Sequence, residues 1–317
     1  MENAIEIKNL TKIFNEKSKK RQKIALNSIS FNVPKGSFHG FIGNNGSGKT
    51  TTFRSILGLY PDVKGEIYIN GISFKNEKSR EKIGYIPEIA IFPKNLTIKE
   101  YVQYFAELSG MKKAAAQEKA NDLLKKFNFD SKEFNKSATK LSSGQKKKVL
   151  LMQALVNDPE ILILDEPAAN LDPSARIELY KELKELSNEG KTIFLSSHIL
   201  LELEQYIDSY TILADGQVID SGKIDEKLSD QKLNKKIIMT NVLEEQKDEI
   251  KKIFEKHASE FEIKEKENEY WVLFSLKKPN ETNKLLNDLL KKELNIKQIA
   301  DNKVSLNELY FSQEGME

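Results

Sequence analysis

Eight residues, Gly43-Asn44-Asn45-Gly46-Ser47-Gly48-Lys49-Thr50, have the types and the spacing to hold a phosphate. They fit the pattern G-x-x-x-x-G-K-[ST]. Glycine lets the backbone close around an anion, because no Cβ blocks the approach. Successive amides from Asn45 to Thr51 can then point inward as a nest. A helix that follows adds the positive end of its dipole. The Lys49 ammonium suits β- and γ-phosphates, and the Thr50 hydroxyl suits Mg. A Gly-rich turn ahead of a helix is the plainer reading. The strand-like run Ser37–Ile42 before the motif and the helix-like run Thr50–Leu59 after it favour the phosphate loop.

A phosphate loop needs carboxylates opposite it. Ile161-Leu162-Ile163-Leu164 reads as a strand buried on both faces, and Asp165-Glu166-Pro167 follows at its C-terminal end. Ligands of open α/β sheets bind at that edge. Asp165 can serve the metal, and Glu166 can take a proton from an attacking water. Alone, an acidic strand end is weak evidence; beside the loop it is coherent.

The elements that must place these residues are read from period and punctuation. Ala4–Ile7 alternates like a half-buried strand, and Lys8–Phe14 continues extended. The charged run Asn15–Arg21 suits a solvated hairpin tip better than a binding patch. Ile24–Val33 is strand-like up to Pro34-Lys35-Gly36. Residues 65–72 alternate around the turn signal Asn70-Gly71. Lys82–Pro87 reads as a short buried strand. Thr97–Ser109 is helical, with Ile98, Tyr101, Val102, Phe105 and Leu108 on one face and a capping box from Thr97 to Glu100. Tyr101, Tyr104 and Phe105 suit a core, with part left to face a partner. Helices are expected over Ala114–Phe127, from the Leu141–Gln145 run through Val156, over Pro173–Asn188 with Asp172 as cap and Gly190 as stop, and over Ile199–Ile207. Thr192–Ser197 is a buried strand, and Tyr210–Ala214 pairs with Gln217–Asp220 across Asp215-Gly216.

Beyond about residue 225 the pattern changes. Strands are expected at Lys235–Thr240 and Tyr270–Leu276, and helices at Glu244–Lys256, Glu281–Lys292 and Leu306–Phe311, joined to the rest by a linker over Gly222–Asp230.

The 317 residues allow one large domain and one smaller. Charged residues make up 31% and apolar ones 39%, as in a globular, soluble chain. A net charge of +2 gives no global pull toward nucleic acid. The absence of cysteine excludes disulfides, thiol catalysis and thiolate metal sites. Met1–Leu10 lacks the apolar core of a secretion signal, and no stretch approaches the ~20 apolar residues of a membrane span.

The order of phosphate loop, Leu141-Ser142-Ser143-Gly144-Gln145, Ile161–Pro167, Asn170-Leu171-Asp172 and His198 resembles the ATP-binding cassette of ABC transporters over roughly residues 4–222. The Leu-Ser-x-Gly-Gln signature discriminates it from other P-loop ATPases. The resemblance implies an α/β P-loop NTPase cassette in residues 1–224, with an antiparallel β subdomain and a helical insertion at about 89–156. It leaves 225–317 as a small C-terminal α+β appendage, regulatory or dimer-supporting. It further implies ATP and Mg, and a head-to-tail pair of cassettes, homodimeric or with a sister cassette. Each signature element (Ser142, Ser143, Gly144, Gln145) would then cap ATP on the other cassette's phosphate loop. His198 would contact the γ-phosphate and align the water, Asp172 would link the sites or simply cap its helix, and Phe14 would stack on adenine or sit in the core.

The departures are specific. Glu88 stands where the family usually has Gln, as a metal or water ligand. Ser143 replaces a glycine, and Asn170 replaces a small residue. Lys146–Lys148 stand where Gln-Arg is frequent; they add positive potential or cover a solvated helix face. The run Ile83–Glu88 and the short extension look like the separate-subunit cassettes of bacterial exporters for drugs, antimicrobial peptides, lipids or sodium. The expectation is an ATPase subunit at the cytoplasmic face of the membrane, held there by separate permease subunits. The alternatives are a soluble ABC ATPase acting on ribosome or DNA, and a regulatory or immunity cassette. Ribosome-type members usually hold two cassettes in one chain. Chromosome-type members carry a long coiled coil before the signature.

Overall fold

The computed structural model describes residues 2–16, 21–89, 91–224, 226, 233–266, 269–278, 281–292 and 294–302. The chain divides into two compact units, Met1–Ile224 and Asp225–Glu317.

The first unit holds two sheets. The antiparallel sheet runs β2 (Arg21–Pro34), β1 (Asn3–Glu16), β4 (Lys64–Ile69), β5 (Ile72–Ser73). The β1–β2 hairpin closes on Glu16 opposite Arg21; residues 17–20 of the expected tip lie outside the described residues. Asn70 and Gly71 turn β4 into β5 with φ of 47° and 75°, as a two-residue hairpin of this composition requires.

The second sheet has the order β10-β9-β3-β8-β7-β6. Its strands are β3 (Phe38–Ile42), β6 (Ile83–Ile86), β7 (Ile161–Leu164), β8 (Thr192–Ser197), β9 (Ser209–Ala214) and β10 (Gln217–Lys223). All pair in parallel except the edge strand β10. Register decides the rest. Ile42 lies beside Ser197, Leu164 beside Leu195, and Ile86 beside Leu164. The segments leaving β3, β6, β7 and β8 therefore emerge along one edge of the sheet. That edge receives the phosphate loop, Glu88, Asp165-Glu166 and His198.

Helix α1 (Lys49–Ile56) follows the loop. The helical region comprises α2 (Ile98–Leu108), α3 (Lys113–Lys126) and α4 (Ser143–Leu155). Both α2 and α4 start in capping boxes, Thr97 with Glu100 and Ser142 with Gln145. Helix α5 (Pro173–Asn188) starts on Asp172, and Gly190 follows it with φ of 94°. On α2 the buried set is Ile98, Tyr101, Val102 and Ala106. Leu108 is not on that face but exposed, as is Tyr104, which belongs to no core; Phe105 is half-buried. The helix expected over Ile199–Ile207 is shorter, α6 (Leu200–Leu203), and β10 continues through Gly222, so the linker begins later than its composition suggests.

In the second unit the order is β11 (Lys235–Thr240), α7 (Glu244–His257), β12 (Ala258–Lys266), β13 (Glu269–Leu276), α8 (Thr282–Leu290) and β14 (Asn295–Asp301). The sheet order is β12-β13-β11-β14, all antiparallel, which is the split βαβ arrangement of ferredoxin-like domains. Ile237, Met239, Phe254, Val272, Phe274, Leu285 and Leu289 form its core. The strands β12 and β14 were not anticipated. Both are edge strands. The lysines and glutamates of β12 blunt pairing with other chains and mask its alternation, while β14 carries only Lys297 and Asp301 as charges and its isoleucines, Ile296 and Ile299, are three apart rather than two. The expected helix at Leu306–Phe311 lies outside the described residues.

Candidate nucleotide site

A cleft of about 640 Å³ opens over the phosphate loop. It is lined by Asn45, Gly46, Gly48, Lys49, Thr50 and Thr51, with Phe14, Glu88 and Glu166 facing them and Lys23–Ala25 and Asp215-Gly216 closing the wall. That volume suits a ligand of nucleotide size. The sequence pointed to Phe14, Glu88 and Glu166; it gave no reason to expect Lys23–Ala25 or Asp215 there, since their role depends on β2 and the β9–β10 turn meeting in space.

The glycines are required. A Cβ on Gly48, at φ of 115°, would come within 2.7 Å of Leu26 Cδ2 and 2.9 Å of the Ala25 carbonyl. One on Gly43 would fall 2.2 Å from the Leu213 carbonyl and 2.6 Å from Ser47 Oγ. Ser47 Oγ is buried and has no hydrogen-bond partner among the described residues. Asn44 and Ser47 sit in the loop without lining the cleft.

Lys49 is buried to 5% exposure. Its Nζ donates to the Gly43 carbonyl at 2.5 Å and the Asn44 carbonyl at 3.2 Å. It also stands 3.1 Å from Glu166 Oε1, an ion pair not aligned as a hydrogen bond. Glu166 Oε2 is 2.9 Å from His198 Nδ1. An imidazole that donates Nδ1–H to this carboxylate keeps a lone pair at Nε2, and only the imidazolium offers a donor there. Glu166 has φ of 44°, an uncommon conformation for this residue, costing roughly 1–3 kcal/mol. This kink separates the two carboxylates: Asp165 stays buried while Glu166 reaches the cleft. Ser196 fixes both. Its Oγ accepts the Glu166 amide at 2.8 Å and donates to Asp165 Oδ1 at 2.9 Å. The sequence places Ser196 only within the buried strand Thr192–Ser197; nothing in its spacing reveals this bridge.

Among the described residues no three carboxylate or imidazole side chains converge as a ready-made metal cage. The Thr50 hydroxyl with Asp165 and Glu88 is a hard-oxygen set, and Mg held by one or two carboxylates plus substrate phosphates needs no cage. These donors fit Mg.

Phe14 is half-buried, not a core residue. Tyr60 meets its ring edge-on at 5.4 Å, and the Lys12 ammonium, itself paired with Asp62, lies 4.9 Å from its centroid. Held this way, the ring lines the cleft.

The signature residues do not join this cleft. Ser142, Gly144, Gln145 and Asp172 line a second hollow of about 180 Å³, with Glu133, Lys148 and Glu178; Ser143 is exposed beside it. Ser142 Oγ accepts the Gln145 amide, and Gln145 Nε2 donates to Glu133 at 2.9 Å. Asp172 accepts from the Ala175 amide at 3.0 Å and the Ser174 hydroxyl at 2.6 Å, so the helix-cap reading holds; those bonds keep its carboxyl below the usual range. Two of the three lysines after the signature do not form a solvated face. Lys147 is buried, and Lys148 bridges Glu178 and Glu182 at 2.8 and 3.0 Å.

Comparison with known proteins adds the family. Residues 26–169 match the ABC transporter family. An ABC transporter ATP-binding protein of Mycoplasma pneumoniae is 46% identical over 69% of this chain and 66% of its own length. The Nod factor export ATP-binding protein I of Burkholderia lata is 34% identical over 69% of this chain and 70% of its own. A dimeric ATP-binding cassette solved in a post-hydrolysis state with ADP and Pi superposes with a TM-score of 0.62, at 26% identity, over 69% of this chain and 98% of that one.

Proposed function

This chain belongs to the ATP-binding cassette family of ABC transporters, and from that premise we propose that it binds and hydrolyses ATP to drive a membrane exporter. The observation that carries the reading is the separation of the two pockets. The phosphate loop and Glu166 line one, and Ser142, Gly144 and Asp172 line another. A signature element that cannot cap its own nucleotide suits one that caps a neighbour's. The active unit is then two cassettes, identical or sister, with ATP between them.

In this reading the loop amides from Asn45 to Thr51, with Asn44, Gly46, Ser47 and Gly48, cradle the phosphates, and Lys49 neutralises the outer ones. Phe14 stacks on the base. Thr50, Asp165 and Glu88 would hold Mg, which would supply charge neutralisation for the phosphates. Glu166 accepts the proton of a water whose oxygen bonds to the terminal phosphorus as the bond to ADP breaks. The Lys49 ammonium cannot serve Glu166 and the phosphates equally, so moving it to phosphate frees the carboxylate. His198 aligns the water through Glu166. From the other cassette come Ser142, Ser143, the Gly144 amide and Gln145 at the start of α4, with Asp172 linking the sites.

No described helix is long and apolar enough to cross a membrane. Ile89, Ile91, Tyr104 and Leu108 are exposed apolar side chains close in sequence to Phe92, Tyr101 and Phe105, and Tyr104 packs edge-on against Phe105. They suit a separate permease that places the cassette at the cytoplasmic face of the membrane; nucleic acid is not an expected partner. The test is association. With Mg and a non-hydrolysable ATP analogue the purified chain should shift to twice its mass, and Ser142→Arg should abolish the shift. A dimer indifferent to both would remove the trans arrangement.

Glu88→Gln is expected to turn over ATP with a changed Mg requirement, because an amide replaces a carboxylate near the metal. Turnover equal or better with the Mg titration unmoved would strip Glu88 of a metal role.

A further inference from the structure

Lys147 is the fifth residue of α4 and only 7% exposed. Burial pulls the ammonium below its ordinary range, and the carboxylates of Glu88, Asp165 and Glu166 oppose that pull. Its Nζ donates to the backbone carbonyl of Glu88 at 2.6 Å. The bond goes to the carbonyl, so it fixes the backbone while the Glu88 side chain lines the nucleotide cleft. Glu88 lies two residues past the end of β6, in a stretch without helix or strand through Leu96 among the described residues. A charge-assisted bond from a rigid helix is what such a run needs to hold one geometry. Ser142 caps the start of the same helix, and its capping box locks the first turn.

We propose that Lys147 is a positioning residue for this site: it fastens the Glu88 run to the signature helix and so sets where the Glu88 carboxylate stands in the cleft. The proposal rests on the nucleotide reading of that cleft. It makes α4 a rod with a nucleotide-capping end and, one turn along, a grip on the metal side of the chain's own site.

The test uses the full chain carrying Lys147→Met, which keeps the apolar stem and drops the donor and the charge. Amide hydrogen exchange is read over residues 83–97, with residues 37–56 as the internal reference. Mg is titrated against binding of a non-hydrolysable ATP analogue, and turnover is measured. Exchange over 83–97 should accelerate at least about tenfold with the reference unchanged, and the Mg midpoint should rise about tenfold, the scale of a lost outer-layer support. Lys147→Gln, which restores a neutral donor, should recover part of both. In the double variant Lys147→Met/Glu88→Gln the Mg midpoint should match that of Glu88→Gln alone, because both act through one group. Unchanged exchange over 83–97 in the folded variant, or midpoint shifts that multiply in the double variant, would overturn the proposal. The exchange measurement needs no nucleotide, so it separates this proposal from the reading of the cleft, which falls if the unaltered chain binds no analogue.

Discussion

Glu166→Gln should lower ATP turnover by about 10²- to 10⁴-fold, the range a positioned general base supplies, while nucleotide binding persists. The geometry explains why binding and chemistry should part. The Glu166 amide is held by Ser196 Oγ at 2.8 Å, and the side chain is nearly buried between Lys49 and His198. Glutamine has the same shape. Its carbonyl can still face Lys49, and its NH₂ can face His198 Nδ1 in the tautomer that accepts. What disappears is the basic oxygen. A cassette that binds ATP but cannot cleave it should accumulate in the nucleotide-bridged dimer, because cleavage is what removes the bridge. Phosphate release, analogue affinity and particle mass, measured on one preparation, check the three parts. Wild-type phosphate release would end the general-base assignment.

The same residue shows what could be read in advance and what could not. A continuous apolar strand followed by Asp-Glu is visible as letters, and so is the phosphate loop, because both depend on short spacings. Parallel register then carried Ile42, Ile86, Leu164 and Ser197 to one edge, an outcome that buried strands of this kind favour. The bridging role of Ser196 is a matter of ångströms between strands, with no periodic signal. Lys147 misled for a related reason. Three lysines in a row look solvated, yet a helix turns 100° per residue, so one of three consecutive positions points inward. Here it meets a carbonyl instead of water. The edge strand β12 is hidden by the charges that protect it, β14 by isoleucines spaced three apart across a register shift, and Leu108 lies beyond the buried face of α2, which ends with Ala106. Long-range position, more than residue type, is what the sequence alone withheld.

Lys49→Met should cost more in binding than in folding, and the two can be separated. The thioether fills most of the buried slot that the lysine stem occupies. The ammonium's bonds to the Gly43 and Asn44 carbonyls are lost, and Glu166 loses its nearest cation while keeping His198. Breaking a buried pair from one side destabilises by roughly 3 kcal/mol, so the melting temperature should fall. A charge-assisted bond to phosphate is worth about 1.5–3 kcal/mol, which weakens ATP binding roughly 10- to 150-fold. Adenosine supplies the control, since it can reach the Phe14 end of the cleft and carries no phosphate. If Lys49 acts on phosphate, ATP affinity drops while adenosine affinity, measured on the folded variant at low temperature, stays within about twofold, since a methionine there withdraws nothing from the base. Equal losses for ATP and adenosine would mean that the variant damages the cleft as a whole, and the assignment of Lys49 to the outer phosphates would fail.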